Sequence, residues 1–284
     1  MPKFMIVGGD GMLAFAIKKN EYYSDFIAFS SKECDITKPE MIEKHILKYK
    51  PEYLLNCAAY TDVAGAEKEI SAAMDVNAHG AINLALLSNK HQCRLVHFST
   101  DYVFKGDKEI VYKEDMPTNP VNSYGATKQK GEEFVQAVNP SALIVRVSLL
   151  YGVNGRNFIS KIANIMQQQP EMSAICDRYG KTTYACDVAE ATKNLIEKEA
   201  VGIYHFANEG ICTKYEFTKK IYELLRKKID FKCDILPLMS FEYPDNTPRP
   251  IWSVLDTEKY KQKTGADIRH WEEALEDYVM SLEI

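Results

Sequence analysis

The stretch Lys3-Phe4-Met5-Ile6-Val7-Gly8-Gly9-Asp10-Gly11-Met12-Leu13-Ala14, close to the beginning of the chain, decides the fold. Its apolar start predicts a buried strand, and the amphipathic run that follows predicts a helix. Three glycines lie between the two, so the backbone can turn tightly there and approach a ligand closely. A helix that begins directly after such a turn offers unpaired N–H groups to an anion. The stretch therefore predicts the first strand and helix of a dinucleotide-binding sheet, with a pyrophosphate at the turn.

Apolar runs of strand length alternate with amphipathic runs of helix length along the first half of the chain. Strands are predicted at Lys3–Val7, Phe26–Phe29, Tyr53–Ala58, Leu95–Ser99 and Ala142–Val147. Helices are predicted at Met12–Asn20, Pro39–Lys50, Ile70–Asn89 and Ser123–Val138. This alternation indicates βαβ units. The predicted fold class is α/β: a Rossmann-type doubly wound parallel sheet with a smaller mixed α/β substrate-binding lobe.

The pattern is less regular in the second half. It predicts helices at Asn157–Gln169, Asp187–Lys198, Thr213–Lys227 and Trp271–Leu282, a strand at Gly202–Phe206 and a loop at Tyr243–Pro250. Capping-box patterns make Thr37 and Thr213 the expected N-caps of their helices. We expect residues 1–150 to form a dinucleotide-binding domain, with later returns near 185–210, and residues 151–284 to form mainly the substrate-binding lobe.

The composition is that of an ordinary globular protein, with 46% apolar and 26% charged residues among 284. A net charge of −5 offers no attraction to nucleic acid or to an anionic membrane, so neither is an expected partner. No apolar run approaches the roughly 18 residues that span a bilayer. Seven cysteines without a Cys-x-x-Cys pair argue against a disulfide framework and a zinc ribbon. We therefore expect a cytoplasmic protein.

The segment Ser123-Tyr124-Gly125-Ala126-Thr127-Lys128 contains a Tyr-x-x-x-Lys pair. Residues i and i+4 share a face of a helix, so the ammonium of Lys128 can lie near the phenol of Tyr124. We expect the cation to lower the pKa of the phenol, which then gives its proton to a carbonyl oxygen. The ammonium can also hold a ribose hydroxyl. A second pair, Tyr215 and Lys219, follows the Thr213 cap and is expected to be structural.

Two other strand ends carry polar side chains that bear on function. Ser99 and Thr100 follow an apolar strand, and ligands of an open parallel sheet bind at the carboxyl ends of its strands. Either hydroxyl can donate to the same carbonyl oxygen as Tyr124. No acid for a ribose 2′-hydroxyl stands at the end of the second strand, whereas Ser30 and Lys32 suit a 2′-phosphate. NADPH is therefore favoured over NADH.

These motifs resemble those of the extended short-chain dehydrogenase/reductase superfamily, and more closely those of its dTDP-4-dehydrorhamnose reductase branch. The likeness covers nearly the whole chain, from the glycine turn at Gly8–Ala14 to Arg249-Pro250. The block Ser99-Thr100-Asp101-Tyr102-Val103-Phe104 is fairly specific to this branch. The resemblance implies NAD(P)H-dependent reduction of the 4-keto group of a nucleotide-linked 6-deoxysugar, with Tyr124 as the proton donor.

The resemblance also implies roles for individual residues. The catalytic set is Thr100, Tyr124 and Lys128. The expected contacts of NADPH or NADH are Gly8, Asp10, Gly11, Met12, Leu13, Ser30, Asp35, Ile36, Cys57, Ala58, Ala59, Tyr60, Asn77, Ser99, Tyr124 and Lys128. The expected contacts of the nucleotide-sugar substrate are Val63, Thr100, Asp101, Tyr102, Leu149, Asn157 and Arg249, of which the last suits a pyrophosphate.

Several positions depart from the family pattern. Leu149 stands where an aromatic residue usually lines the sugar pocket, which leaves the sugar open. The family's Asp-Gln-x-Gly-x-Pro-Thr stretch is Asp177-Arg178-Tyr179-Gly180-Lys181-Thr182-Thr183, which adds two cations. Some members form a magnesium-bridged dimer through a helix glutamate. That position looks like Ala16 here, so no metal is expected, and a homodimer stays open.

Two other functions stay open. A nucleotide-sugar 4,6-dehydratase or 4-epimerase shares the fold and the Tyr–Lys pair. Dehydratases place Asp-Glu after the strand-end Thr, whereas Tyr102 follows Asp101 here, so reduction is favoured. A non-catalytic regulatory subunit would bind cofactor and a partner enzyme, and the intact set of Thr100, Tyr124 and Lys128 argues against it.

Overall fold

A computed structural model describes residues 1–155 and 157–282 of the chain. Its strands are β1 Phe4–Val7, β2 Phe26–Phe29, β3 Tyr53–Asn56, β4 Arg94–Thr100, β5 Leu143–Val147, β6 Leu150–Tyr151, β7 Glu171–Ile175, β8 Tyr179–Gly180, β9 Thr183–Tyr184, β10 Gly202–Phe206, β11 Cys212–Thr213, β12 Asp234–Leu238 and β13 Trp252–Ser253. Its α-helices are α1 Met12–Lys19, α2 Pro39–Tyr49, α3 Val63–Lys68, α4 Ile70–Met74, α5 Gly80–Lys90, α6 Ser123–Val138, α7 Phe158–Gln168, α8 Ala185–Glu197, α9 Lys214–Leu225, α10 Glu258–Thr264 and α11 Trp271–Ser281.

Six parallel strands form the central sheet in the order β10-β5-β4-β3-β1-β2. The chain passes from β1 to β2 on one side and then returns to β3 on the other side of β1. The strand order therefore reverses between β1 and β3, and such a point opens a crevice beyond the carboxyl ends of the two strands. The predicted α/β fold class, with a doubly wound parallel sheet, is confirmed.

Helices cover both faces of the sheet, which explains why its strands are apolar throughout. Phe4 and Ile6 of β1 point into a core that the sheet shares with α1 and α8. Met5 and Val7 point to the opposite face, where α2, α5 and α6 complete a second core. Strand β10, although late in the chain, adds to the edge of the sheet beside β5.

A smaller lobe lies beside the carboxyl ends of the strands. Its short strands pair as β7 with β12, β8 with β11 and β13, and β6 with β9. Helices α7, α9 and α11 enclose a third apolar core around Phe217, Leu224 and Trp271. The predicted capping box at Thr213 is confirmed: its hydroxyl accepts from the backbone N–H of Glu216, whose carboxylate accepts from the Thr213 N–H.

Three local predictions were wrong or incomplete. Thr37 does not cap α2, because its hydroxyl donates to the Asp35 carboxylate at 2.8 Å and the cap falls to Lys38. The helix expected over Ile70–Asn89 is interrupted by a π-helical turn at Asp75–His79. Helix α3 was not predicted; the Asp62 side chain caps it by accepting from the N–H of Gly65. Within the described residues, no helix is long and apolar enough to cross a membrane.

Candidate active site

A cavity of about 580 Å³ opens at the carboxyl ends of the central strands, between the sheet and the smaller lobe. It is lined by these expected cofactor contacts: Gly11, Met12, Leu13, Cys57, Ala58, Ala59, Ser99, Tyr124 and Lys128. It is also lined by all seven expected substrate contacts: Val63, Thr100, Asp101, Tyr102, Leu149, Asn157 and Arg249. The remaining expected cofactor contacts do not line it: Gly8, Asp10, Ser30, Asp35, Ile36, Tyr60 and Asn77.

The glycine turn between β1 and α1 fits the pyrophosphate of a dinucleotide. Gly8 has a φ of +71°, and a Cβ there would lie 2.5 Å from the backbone nitrogen of Ala58. Only glycine therefore lets β1 turn so close to the segment after β3. Gly11 precedes α1 and provides no side-chain cap. The first N–H groups of this helix thus remain available to an anion at its positive end.

Asn77 lies behind the cavity wall and joins two elements that line it. It is 1% exposed. Its side-chain oxygen accepts from the Tyr60 N–H at 2.9 Å, and its amide donates to the Tyr60 carbonyl and to Thr127 on α6. Asn77 therefore holds the segment after β3 against the helix that carries Tyr124, from within the π-helical turn.

The end of β2 carries an acid that the sequence interpretation overlooked. The carboxylate of Glu33 turns back and accepts from both the N–H and the hydroxyl of Ser30, at 2.9 and 2.7 Å. The expectation that no acid stands there was wrong, because a three-residue turn brings Glu33 back to the strand end. Asp35 accepts from Thr37 instead of facing the cavity, and Ile36 is buried in the core.

Helix α6 presents Tyr124 in its first turn and Lys128 one turn later. Asn122 caps the helix by accepting from the N–H of Gly125 at 2.8 Å. A Cβ on Gly125 would lie 2.2 Å from the carbonyl oxygen of Tyr102, so this glycine allows α6 to pack directly on the segment after β4. The Glu67 carboxylate accepts from the N–H and hydroxyl of Ser123. These contacts fix the first turn of α6, and with it the position of Tyr124.

Thr100 and Asp101 form a buried polar group at the end of β4. The Thr100 hydroxyl donates to Asp101 Oδ1 at 3.1 Å, and the Ser148 hydroxyl donates to Oδ2 at 2.8 Å. Burial raises the pKa of Asp101, whereas hydrogen bonds from Ser253, Ser148 and Thr100 act in the opposite direction. Asp101 is 3% exposed, so it mainly orients the hydroxyls beside it.

The titration of Tyr124 differs from the sequence expectation. Burial raises the pKa of its phenol well above the ordinary value, and a hydrogen bond with Thr100 only partly opposes this. The expected lowering by Lys128 was wrong. The Lys128 ammonium donates to the Phe98 carbonyl at 2.6 Å, and burial lowers its own pKa to about 8. Tyr124 is therefore a neutral phenol near pH 7, which is the form that can give up a proton.

The second Tyr-x-x-x-Lys pair is separate from this site. Tyr215 and Lys219 lie on α9 and do not line the cavity, although Lys214 at the start of the same helix does. Sequence reasoning missed Lys214, Ser148 and Ser253 as lining residues. No local pattern marks them, because they reach the cavity only when the smaller lobe packs on the sheet.

The whole chain matches one protein family. A sequence model described as the RmlD substrate binding domain matches residues 2–284. The chain belongs to this family. SpsK of Bacillus subtilis (strain 168), a spore coat polysaccharide biosynthesis protein, is 34% identical over 281 residues, which cover 98% of this chain and 97% of SpsK. The dTDP-4-dehydrorhamnose reductase of Aggregatibacter actinomycetemcomitans is 32% identical over 289 residues, 98% of each chain.

Solved structures of the family agree with this membership. The dTDP-4-dehydrorhamnose reductase from Bacillus anthracis str. Ames, in complex with NADP, matches with a TM-score of 0.94 and 33% identity over 99% of this chain and 100% of that one. UDP-glucose 4-epimerase from Thermus thermophilus, with NAD, has a TM-score of 0.82 at 16% identity over 98% of this chain and 97% of that one, which shows a shared fold alone. The predicted family is confirmed.

Proposed function

We propose that this chain is an NAD(P)H-dependent reductase of the 4-keto group of a nucleotide-linked 6-deoxysugar, with dTDP as the nucleotide. One observation carries the proposal: the neutral phenol of Tyr124 and the hydroxyl of Thr100 line the same cavity as the glycine turn. Membership of the family and the names of its full-length relatives give the substrate class.

Tyr124 acts as the general acid. Its phenol gives a proton to the ketone oxygen as carbon 4 accepts a hydride, so that the ketone becomes an alcohol and the phenol a phenolate. The Thr100 hydroxyl donates a hydrogen bond to the same oxygen and stabilises the charge that develops there. Because burial raises the pKa of Tyr124, its proton is retained until the oxygen becomes basic enough to accept it.

The nicotinamide cofactor supplies the hydride when bound. The glycine turn and the first N–H groups of α1 hold its pyrophosphate, and Lys128 holds a ribose hydroxyl. Glu33 and Ser30 lie at the end of β2, where the ribose 2′ position is recognised in folds of this kind. We further infer that residues 1–150 with 185–210 bind the cofactor, and that the rest of residues 151–284 binds the sugar nucleotide.

The compartment and the oligomeric state of the enzyme are separate inferences. Seven free cysteines suit a reducing compartment, so we place the enzyme in the cytoplasm. A homodimer stays a prediction, which light scattering of the purified chain checks.

Oxidation of NADPH and of NADH with dTDP-4-keto-6-deoxyhexose as the substrate tests the function. We expect turnover by the wild type and a loss of about 10²–10⁴-fold in Tyr124→Phe, which is the usual contribution of a general acid. Tyr215→Phe is the matched control, since this tyrosine belongs to the same kind of motif outside the cavity, and it should retain full activity. Tight cofactor binding without turnover by the wild type would contradict the proposal and favour a regulatory subunit.

A further inference from the structure

Four cationic side chains of the smaller lobe line the cavity, and one of them, Lys181, is paired with Glu209 at 2.9 Å. The other three are Arg178, Lys214 and Arg249. Arg178 lies between β7 and β8, Lys214 begins α9, and Arg249 precedes β13. The three come from segments that are far apart in the sequence. Their convergence on one part of the cavity is therefore a property of the tertiary structure.

Arg178 is half-buried, and two nitrogen atoms of its guanidinium lack the partners that buried donors normally have. Its Nε and Nη1 atoms are buried and find no hydrogen-bond acceptor among residues 1–155 and 157–282. Burial, together with the charge of Arg249, lowers the pKa of Arg178. A buried donor without an acceptor is costly, and a bound anion would remove that cost.

Lys214 also lacks a partner of opposite charge among the described residues. Its Nζ atom lies 5.5 Å from the centre of the Phe158 ring, and it makes no ion pair with any residue that the structure describes. Burial, then Arg249 and Arg178, lower the pKa of Lys214 to about 8. Lys161 acts in the same direction, and Asp101 in the opposite one.

Arg249 is the best-compensated of the three cations. Its Nη2 donates to the Asp245 carboxylate at 2.6 Å, and its Nη1 donates to the Thr247 carbonyl. Three carboxylates act on these cations: Asp177 and Asp245 act on Arg178, and Asp101 acts on Lys214. Among the described residues, Arg249 is paired with Asp245, whereas neither Arg178 nor Lys214 forms an ion pair. The charges of these two side chains therefore remain unpaired on the side of the cavity that the smaller lobe forms.

We propose that Arg178 and Lys214, together with Arg249, form the subsite that holds the diphosphate of the nucleotide-linked substrate, an inference that rests on the proposed function. A guanidinium can bind two phosphate oxygens at once, and an ammonium adds a point charge. The charges of Arg249 and Arg178 both oppose the rise that burial causes in the pKa of the Tyr102 phenol. The ring centre of Tyr102 is 5.9 Å from that of Tyr124.

Isothermal titration calorimetry of the full chain with dTDP, UDP and thymidine tests the subsite without any turnover. We expect the wild type to bind a nucleoside diphosphate far more tightly than thymidine. Arg178→Gln and Lys214→Gln should each weaken diphosphate binding by about 10- to 100-fold, the usual loss for a charged hydrogen bond, and leave thymidine binding unchanged. Lys219→Gln, an exposed change on the same helix, is the control.

Two further measurements separate binding from folding. Arg178→Gln should retain or raise the melting temperature, because it removes unpaired buried donors, whereas a structural role would lower it. The affinity of the wild type for dTDP should fall as the pH rises above about 8, where Lys214 loses its charge, and this fall should be absent in Lys214→Gln.

Different outcomes of these experiments refute the diphosphate subsite and the proposed function. Unchanged affinity for dTDP and UDP in both variants, or a wild type that binds dTDP no more tightly than thymidine, overturns the subsite even when the keto sugar is reduced. Diphosphate binding that depends on Arg178 and Lys214, in a wild type that does not reduce the keto sugar, supports the subsite and overturns the function.

Discussion

Replacement of Thr100 by valine isolates the role of its hydroxyl, because the two side chains have nearly the same shape. The hydroxyl has one proton, which it donates to Asp101 Oδ1 at 3.1 Å. This distance is longer than that of a strong hydrogen bond from a hydroxyl to a carboxylate, which is about 2.5–2.7 Å. The proton can therefore turn to a ketone oxygen at low cost, while Asp101 keeps the hydrogen bond from Ser148 at 2.8 Å.

The size of the effect on kcat follows from the two bonds that the hydroxyl proton can make. Thr100→Val also removes the acceptor of the Tyr102 N–H at 3.2 Å, a loss that Thr100→Ser avoids. A donor aimed at a developing oxyanion contributes about 2.7–4 kcal/mol. Release of the bond to Asp101 costs about 1.5 kcal/mol. The difference of about 1.2–2.5 kcal/mol corresponds to a loss of about 8- to 70-fold in kcat for Thr100→Val.

Steady-state kinetics with the 4-keto sugar nucleotide measures this loss, and thermal unfolding checks that the variant remains folded. Thr100→Ser keeps the hydroxyl and should recover most of kcat. A Thr100→Val variant with the wild-type kcat would refute the reasoning, and so would a Thr100→Ser variant as impaired as the valine form.

Two other predictions concern the cofactor and the pH profile. Glu33→Gln should raise the kcat/KM ratio of NADPH over NADH several-fold, since the Glu33 carboxylate beside Ser30 repels a 2′-phosphate; an unchanged ratio contradicts this. In the wild type, kcat should fall as the pH rises through about 8, because Lys128 is a cation below its lowered pKa and neutral above it. Lys214→Gln, which removes the other lysine with a pKa near 8, should keep this fall in kcat; a flat profile contradicts the assignment.

Much of the site could be predicted because its parts are local. The Gly8–Gly11 turn is contiguous and directly follows a strand. Tyr124 and Lys128 lie one helical turn apart, and Thr100 ends a strand whose apolar pattern is plain. Each of these features depends on neighbours within a few residues, so each can be predicted without knowledge of the tertiary contacts.

Other parts depend on groups that are distant in the sequence. Ser148 donates to Asp101 across 47 positions, and Asn77 reaches Thr127 across 50. Glu33 is close to Ser30 in the sequence, but only the backbone turn after β2 decides that its carboxylate returns to the strand end. No spacing of residues in the sequence predicts contacts of these kinds.

By itself the sequence determined the alternation of strands and helices, the glycine turn and the candidate proton donor, since periodicity and short spacing encode them. Only the tertiary structure decided that Tyr124 remains a neutral phenol, because burial sets its pKa and burial depends on every segment that packs around it. The tertiary structure alone also brought Arg178, Lys214 and Arg249 to one wall of the cavity. Each lies on a different segment of the smaller lobe, and the distances between them exist only once that lobe has packed against the sheet.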